Sequence, residues 1–251
     1  MPFDIEHVRQ SWPQPVFYFE TIDSTMNEAV RLAEAGCPHG TTVIADEQTA
    51  GQGRHGRRWH SEPNAGLYIS VVLRPKLAPD SRPVLTLALG LATADAIVEA
   101  AQVGCDLRWP NDVMVGDRKI AGILVQLLDS AVVAGIGINV NHGGFPPEIA
   151  AEATSLRIVS NRRHSREHLL IALLPAIERY CQQLAGEDGR EAILRMFSFR
   201  SSYARNRRVT VGQGTSVIEG TTAGLDPSGF LIIRKDDGTE DVVLAGGVRP
   251  A

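Results

Sequence analysis

The sequence predicts an α+β fold, with a mixed β-sheet domain at residues 1–203 and a small β-barrel at residues 204–251. Runs of β-branched residues and segments of helical periodicity follow one another through the first part of the chain. Past about residue 204 the pattern changes to short β-branched runs separated by glycine turns, which is typical of small barrels. A chain of 251 residues can hold one large and one small domain, at roughly 100 to 200 residues per domain.

Local periodicity predicts the order of strands and helices in the first domain. Short runs of aromatic and β-branched residues indicate strands, and apolar residues recurring with a period of about 3.6 indicate helices. The segment at residues 131–140 is almost wholly apolar and therefore predicts a central strand. The predicted strands lie at residues 16–22, 41–47, 67–73, 106–109, 113–115, 119–128 and 131–140, and the predicted helices at residues 25–36, 83–101, 166–184 and 191–199.

Capping and turn residues predict where several elements begin and end. Thr25 and Glu28 have the capping-box spacing, so we expect them at the start of a helix. Gly36 is a natural stop for that helix, about three turns later. The sequence 116–117 is a glycine-aspartate turn between two β-branched runs, which predicts a β-hairpin.

The composition excludes several classes of protein. A net charge of -4 with 43% hydrophobic and 22% charged residues supports neither a polybasic nucleic-acid binder nor a disordered chain. Cys37, Cys105 and Cys181 are far apart and lack CxxC spacing, which argues against a disulfide framework or a zinc knuckle. No secretion signal or membrane-length apolar run is visible, so we expect a soluble protein of the reducing cytoplasm, with no nucleic-acid or membrane partner.

The glycine-rich segment at residues 48–66 is the first candidate site, because a loop of that length in a compact domain is usually functional or disordered. Its residues 51–56 match the dinucleotide-binding pattern GxGxxG literally. The dinucleotide fold requires those glycines to open a helix, whose N-terminus then meets the pyrophosphate. No helix is predicted after this segment, so the match lacks its required context.

Charged and aromatic residues give the same segment a chemical character. Arg54, Arg57 and Arg58 are cations suited to a polyphosphate or a carboxylate, with a solvated basic loop as the alternative. Trp59 favours a partly folded segment, because a mobile exposed loop would not bury its large apolar surface.

Five segments in one order resemble the motifs of biotin protein ligases. The sequence 47–59, EQTAGQGRHGRRW, is similar to the adenylate loop that this family writes GRGRxGRxW. The resemblance covers residues 16–141 closely, while the C-terminal barrel agrees in type and position more than in sequence. The other matches are residues 23–25 (DST), 108–112 (RWPND, for KWPND), 118–124 (RKIAGIL, for RKLAGIL) and 135–141 (GIGINVN, for the GxGxN strand).

The resemblance implies a fold and a reaction. The catalytic domain would be similar to that of class II aminoacyl-tRNA synthetases, a mixed sheet with helices packed on one face, and the C-terminal barrel would be SH3-like. The biotin carboxylate would attack the α-phosphate of ATP, and a lysine of a biotin carboxyl carrier protein, such as an acetyl-CoA carboxylase subunit, would then attack the mixed anhydride. Mg²⁺ is expected to enter with ATP and not through a protein cage. A homodimer is implied by the family and is not shown by the chain.

Two related activities are the alternatives. A lipoate or octanoyl protein ligase would share the fold and the acyl-transfer chemistry, but residues 51–59 favour biotin. A biotin-sensing repressor would need an N-terminal helix-turn-helix domain. About 15 residues precede the first predicted strand, so we expect no operator binding.

The resemblance also implies a role for each matched position. Both steps gather negative charge, which calls for fixed cations and backbone donors in a site that excludes water. The expected catalytic residues are Lys119, Arg54 and Asp112. The expected biotin contacts are Ser24, Thr25, Gln48, Gly51, Gln52, Gly53, Arg54, Trp109, Lys119 and Gly122. The expected ATP contacts are Arg54, Arg57, Trp59, Asn111, Lys119 and Asn139.

Several of these positions have a purely structural alternative. Asn111 and Asp112 follow a proline and make a good turn by themselves. Trp109 could be ordinary core, and Gly122 could mark a bulge. Asn139 could equally be an ordered residue at a strand end.

Two positions depart from the family pattern. Gln52 stands where the family loop commonly has arginine, which removes one cation, and Arg108 replaces a lysine. No protein metal site is expected, because the histidines lack metal-ligand spacing and each is expected at the surface. These histidines are His39, His55, His60 and His142.

Overall fold

The computed structural model describes residues 3–213 and 216–251. Seven strands of the described residues form a first sheet: β1 (Val16–Ile22), β2 (Thr42–Gln48), β3 (Gly66–Leu73), β4 (Asp106–Arg108), β5 (Asp112–Val115), β6 (Arg118–Leu127) and β7 (Val132–Asn139). Their order is β1-β2-β3-β7-β6-β5-β4, so β7 is central, as predicted. The pair β1 and β2 is parallel and the other neighbours are antiparallel, which makes the sheet mixed.

The helices of the described residues include the predicted ones and three short additions. The predicted helices are α2 (Thr25–Glu34), α3 (Leu85–Ala101), α6 (Arg166–Ala185) and α7 (Gly189–Arg200), and the additions are α1 (Ile5–Ser11), α4 (Pro147–Ala150) and α5 (Leu156–Ser160). Among these helices, none combines the length and the apolar character that a membrane crossing requires.

The helix α2 begins at residue 25 as predicted, but its capping residue lies one position before the Thr25 that the capping-box spacing indicated. Ser24 is the capping residue, because its Oγ accepts a hydrogen bond from the backbone N–H of Met26. Thr25 is the first helical residue, and its side chain is therefore free to bond elsewhere. Gly36 ends the helix as predicted: its φ is +82° and its N–H donates to the carbonyl of Ala33.

Helices cover both faces of the first sheet. On one face α3, which is buried along most of its length, packs with α6 over the apolar side chains of the sheet, Ile69 and Ile136 among them. On the other face α2 packs Met26 and Ala29 against a smaller cluster that includes Val72. The predicted α+β class with a mixed sheet is confirmed, and α2 adds a helix on the second face.

The C-terminal part is a separate antiparallel sheet. Its five strands within the described residues are β8 (Arg205–Gln213), β9 (Ser216–Leu225), β10 (Leu231–Arg234), β11 (Glu240–Val243) and β12 (Gly247–Pro250). The order is β11-β10-β9-β8-β12, and in the part of the chain that the structure describes no pairing joins β11 to β12. The all-β character is as predicted. The predicted domain boundary at residue 203 falls between α7 and β8, and the division into two domains stays a prediction.

Candidate functional site

Glycines leave part of the first sheet uncovered beside α2. Side chains alternate between the two faces of a strand, so Gly135 and Gly137 of β7 face the same side as Val133, which packs against α2. Gly122 of β6 is paired with Gly137 and faces that side too. A Cβ added at Gly135 would lie 2.6 Å from Met26 Sδ, so neighbouring side chains rest directly on the glycine backbone. Gly122, Gly135 and Gly137 together are called the glycine floor.

A β-bulge in β6 directs Lys119 to the glycine floor. The register between β5 and β6 shifts between Val113 and Met114, so that Ile120 is an extra residue in β6. In regular alternation Lys119 would face the same side as Ala121, which lies in the main core. The bulge turns the ammonium to the opposite side, where the lysine side chain lies against Gly122.

Lys119 forms a charge cluster with Asp112 and Arg108. Lys119 Nζ lies 2.5 Å from Asp112 Oδ1, and Arg108 Nη2 lies 2.8 Å from Asp112 Oδ2. Burial acts to raise the pKa of the Asp112 carboxyl, but the positive charges of Lys119 and Arg108 outweigh burial and keep that pKa below its ordinary value. Asp112 is therefore ionised and engaged on both oxygens, and the cluster as a whole is positive.

A polar network joins the start of α2 to strands β2 and β3. The backbone N–H and the hydroxyl of Thr25 donate to Gln48 Oε1 at 2.9 and 3.0 Å. Ser70 Oγ donates to Thr25 Oγ1 at 2.8 Å, and Gln48 Nε2 donates to Ser61 Oγ at 3.1 Å. Because Thr25 and Ser70 are buried, the network fixes the Gln48 amide in one orientation.

The glycine-rich segment at residues 48–66, called the basic loop, folds into a small hairpin around its arginines. Gln52 and Arg58 pair as an antiparallel bridge. His55 and Gly56, at the tip, both have positive φ, 58° and 73°, as a tight two-residue hairpin turn requires. Gln52, the departure from the family pattern, donates from Nε2 to Asn27 Oδ1 at 2.7 Å and so ties the hairpin to α2.

Arg54 points from this hairpin toward the turn between β4 and β5. Its Nη1 donates to Asn111 Oδ1 at 2.9 Å and to the carbonyl of Gly246, in the C-terminal part, at 3.4 Å. Burial lowers the pKa of Arg54 and Asp112 opposes that shift, while a guanidinium stays charged at neutral pH. Asn111 is held in turn by a hydrogen bond from its Nδ2 to the carbonyl of Ile123 at 2.9 Å.

Trp59 lies flat on the glycine floor. A Cβ added at Gly122 would meet Trp59 Cζ3 at 2.8 Å, and one added at Gly137 would meet Trp59 Nε1 at 2.6 Å. Lys119 Nζ lies 5.3 Å from the centroid of the indole, within the range of a cation–π interaction. The indole N–H is buried and has no hydrogen-bond partner among the described residues. The prediction that Trp59 folds part of the loop down is confirmed.

Two adjoining pockets open over this surface, with about 450 and about 1000 Å³ of empty space including their mouths. The residues that line both are Gly53, Arg54, Trp59, Asn111 and Lys119. Gln48, Arg54 and Lys119 all line the first pocket, and their chemical roles stay predictions. The first pocket is also lined by Thr25, Gln48, Gln52 and Gly122, and the second also by Arg57, Asp112 and Asn139.

Three of the expected biotin contacts lie elsewhere. Ser24 is fully buried as the cap of α2, and Gly51 is not on the pocket wall but accepts a hydrogen bond from the Trp59 N–H at 2.9 Å. Trp109 is 3% exposed, and its indole N–H donates to the carbonyl of Gly229 at 2.9 Å. Each of them supports a neighbour of the site, and the alternative of core packing for Trp109 is the one that the structure favours.

Sequence reasoning assigned no role to several residues of the first pocket. Met26 and Tyr68 line it, as do Gly135 and Gly137. The glycines stand in the matched 135–141 segment, which was a usable signal. Met26 and Tyr68 carried no such signal, because their position over the floor depends on the register of β3 and on the packing of α2.

The expectation that every histidine lies at the surface was wrong for His142, which is 0% exposed. Burial lowers the pKa of His142 to about 4, and the nearby His60 acts in the same direction. The structure also brings His60, Glu62 and His142 together, with one ligand atom of each within 4.8 Å of the others. Spacing along the sequence could not reveal this group, because His142 is about 80 residues from the other two.

Comparisons with known proteins point to one family. Residues 18–142 match the Biotin/lipoate A/B protein ligase family, and residues 206–248 match the Biotin protein ligase C terminal domain. The bifunctional ligase/repressor BirA of Bacillus subtilis is 32% identical over 239 residues, which cover 92% of this chain and 73% of that protein. The biotin–[acetyl-CoA-carboxylase] ligase of Mycobacterium tuberculosis is 31% identical over 243 residues, with coverages of 94% and 88%.

A solved structure supports the same relationship. The biotin protein ligase from Aquifex aeolicus in complex with biotin and ATP matches with a TM-score of 0.83 and 31% sequence identity. The match covers 94% of this chain and 99% of that one, so it includes both the first sheet and the C-terminal strands.

Proposed function

This chain belongs to the biotin protein ligases of the Biotin/lipoate A/B protein ligase family, and from that premise we propose that it makes biotinyl-5'-AMP from biotin and ATP and transfers biotin to one lysine of a carboxyl carrier protein. One observation carries this proposal. The charged ends of Lys119 and Arg54 lie where a pocket with a glycine floor meets a second, larger pocket.

The first step needs positive charge at that junction. A carboxylate oxygen of biotin bonds to the α-phosphorus of ATP, and the bond from that phosphorus to the leaving pyrophosphate breaks. Negative charge is then concentrated on the atoms between the two pockets. Lys119 and Arg54 would stabilise this charge, at a place where the bulge in β6 and the hydrogen bond to Asn111 already hold them.

We assign the first pocket to biotin. The head of biotin is a compact cyclic urea with N–H donors and a carbonyl acceptor, and Thr25 and Gln48 carry matching groups on the wall. The glycine floor lets the apolar body of a ligand approach the sheet closely. Trp59 lies on that floor, so we expect its indole to shift when biotin binds.

We assign the second pocket to ATP. Arg57 and Asn111 would contact the phosphates and the nucleotide, and Trp59 would pack at the boundary with biotin. Asn139 and Glu152 offer oxygen atoms on the same wall, whereas Asp112 is already neutralised by two cations. These oxygen atoms fit a Mg²⁺ ion whose other ligands are phosphate oxygens and water. Such an ion would neutralise part of the phosphate charge.

In the second step the amine of the carrier lysine bonds to the carbonyl carbon of the anhydride. The bond from that carbon to the phosphate oxygen breaks, AMP leaves, and the proton on the amine nitrogen passes to solvent. Asp112 would be a weak base for that proton because its pKa is lowered by Lys119 and Arg108 despite burial. We therefore assign Asp112 to holding Lys119 in place and to orienting the incoming ammonium.

The test is incorporation of labelled biotin into a purified carboxyl carrier domain, with and without ATP. We expect covalent label only with ATP, and none on a carrier whose acceptor lysine is replaced by arginine. Lipoate is supplied in a parallel reaction, because the related ligases share the fold. Adenylation of lipoate with no reaction of biotin would contradict the proposal.

The choice of an acetyl-CoA carboxylase subunit as carrier, and the homodimer, rest on the family relationship alone. Light scattering of the purified chain, with and without biotin and ATP, measures whether the homodimer forms. A mass equal to one chain at all concentrations would remove the homodimer from the proposal.

A further inference from the structure

A second group of ligand-type side chains lies beside the ATP pocket. His60 and Glu62 follow the loop hairpin, and His142 follows β7. One ligand atom of each side chain lies within 4.8 Å of the other two. None of the three entered the ligase proposal above.

One nitrogen of the buried His142 lacks a hydrogen-bond partner in the part of the chain that the structure describes. His142 is 0% exposed, and its Nε2 lies 3.2 Å from the hydroxyl of Tyr68. Its Nδ1 is buried and has no hydrogen-bond partner among the described residues. An unsatisfied buried imidazole nitrogen costs free energy, so its presence calls for a partner.

Aromatic packing fixes this histidine and leaves the other two ligands adjustable. The rings of His142 and Phe145 are stacked with centroids 5.0 Å apart, and His60 lies with its centroid 5.8 Å from that of His142. His60 is half-buried and Glu62 is exposed. One rigid ligand and two adjustable ones therefore face a common point.

We propose that His60, Glu62 and His142 bind one divalent transition-metal ion of the Zn²⁺ class. Bonds of about 2.0 to 2.2 Å in a tetrahedral site separate the ligand atoms by about 3.4 Å. The present separations of up to 4.8 Å close to that value through side-chain rotations of His60 and Glu62. Water occupies the fourth position, because the group is open to solvent on the side of Glu62.

The donor set decides the kind of ion. Two imidazole nitrogens and one carboxylate oxygen suit Zn²⁺, Co²⁺ and Ni²⁺, whereas Mg²⁺ prefers an all-oxygen shell. The hydrogen bond between Tyr68 and His142 Nε2 leaves Nδ1 as the coordinating nitrogen and orients the ring, as outer-shell partners of metal ligands do. This ion is therefore distinct from any Mg²⁺ that enters with ATP.

The ion would join two segments that are remote in sequence. His60 and Glu62 lie in the basic loop after its hairpin, and His142 follows the central strand β7. A bond through the metal would fix the end of the loop to the sheet, one residue beyond Trp59. We assign the ion a structural role, and the assignment holds whether or not the proposed ligase reaction is correct.

The test measures metal binding and not ligase activity. The full chain is freed of metal with a chelator and titrated with Co²⁺, whose visible absorption reports tetrahedral coordination, and separately with Zn²⁺ by calorimetry. We expect one ion per chain and a rise in Tm with Zn²⁺. His60→Ala and Glu62→Gln, at half-buried and exposed positions, should each weaken binding by at least about tenfold.

His55→Asn is the matched control, since His55 lies in the same loop outside the group and asparagine tolerates its positive φ. It should bind Co²⁺ and Zn²⁺ as the parent chain does. Failure of the parent chain to bind either ion, or equal binding by His60→Ala, Glu62→Gln and the parent, would overturn the proposal. A biotin-transfer assay on the same samples separates this outcome from failure of the ligase proposal.

Discussion

Lys119 shows how a single residue acquires a function from its surroundings. A lysine in a hairpin is ordinarily exposed and solvated. Here the bulge at Ile120 turns its ammonium onto the glycine floor, where Asp112 and the indole of Trp59 hold it. The motif at residues 118–124 predicted which lysine matters, but the direction of its side chain depends on the register of β6.

At the residue scale we predict that Lys119→Ala lowers kcat for biotin transfer by about a hundredfold to a thousandfold, the usual cost of removing one preorganised charge contact. The fold should survive, because Asp112 keeps Arg108 as a partner. Steady-state kinetics and circular dichroism check both points. Lys76→Ala is the matched control, because Lys76 is exposed and lines neither pocket of the site. Undiminished activity of Lys119→Ala would remove this residue from the mechanism.

At the scale of elements, the basic loop is the part where prediction and structure differ most. Its composition indicated an irregular segment, yet it forms a hairpin with its tip at His55 and Gly56. Arginines and glycines do not alternate as a buried strand does, so no periodicity could signal the pairing. The hairpin is held by contacts outside itself, from Gln52 to Asn27 and from Arg54 to Asn111.

Removal of one of those contacts should open the loop. We predict that Arg54→Gly releases free biotinyl-5'-AMP about tenfold to a hundredfold faster, the range expected for one or two charge-assisted hydrogen bonds. The readouts are the free adenylate by chromatography and labelling of lysines on an unrelated protein. Arg58→Ala is the control within the same hairpin, since among the described residues the side chain of Arg58 bonds only the carbonyl of Thr49, and alanine keeps the backbone pairing with Gln52. If Arg54→Gly released the adenylate as slowly as the parent chain, the proposed role of Arg54 in closing the loop would be wrong.

The other elements could be predicted because their signals are local. Each of the strands β1 to β7 and the helices α2, α3, α6 and α7 has its own periodicity, and its bounds differ from the expected ones by a few residues at most. The cap of α2 is Ser24 where Thr25 was expected, and a difference of one residue is typical at helix ends. The short helices α1, α4 and α5 were missed, since one or two turns carry too few residues for a period to appear.

At the scale of the whole molecule, the first sheet and the C-terminal strands meet next to the site. Trp109 donates a hydrogen bond to Gly229, and Arg54 donates one to Gly246. Trp109, in the RWPND segment, therefore joins two parts of the molecule. The family resemblance had instead implied that it contacts biotin.

We predict that Trp109→Phe destabilises the chain by about 1 to 3 kcal/mol, because the buried carbonyl of Gly229 loses its donor and the smaller ring leaves a gap. Urea unfolding measures the loss, and Trp12→Phe, at a half-buried tryptophan that bonds the carbonyl of Gly40, gives the comparison. A raised KM for biotin without loss of stability would instead restore the predicted biotin contact.

The amino-acid sequence by itself determined the main strands and helices, the family and part of the pocket lining, because periodicity, turn chemistry and motif order are all properties of short segments. Only the tertiary structure decided the direction of Lys119, the place of Trp59 on the glycine floor and the meeting of His60, Glu62 and His142. The physical reason is the same in each case. These contacts join segments remote along the chain, and strand register and helix packing set their distances.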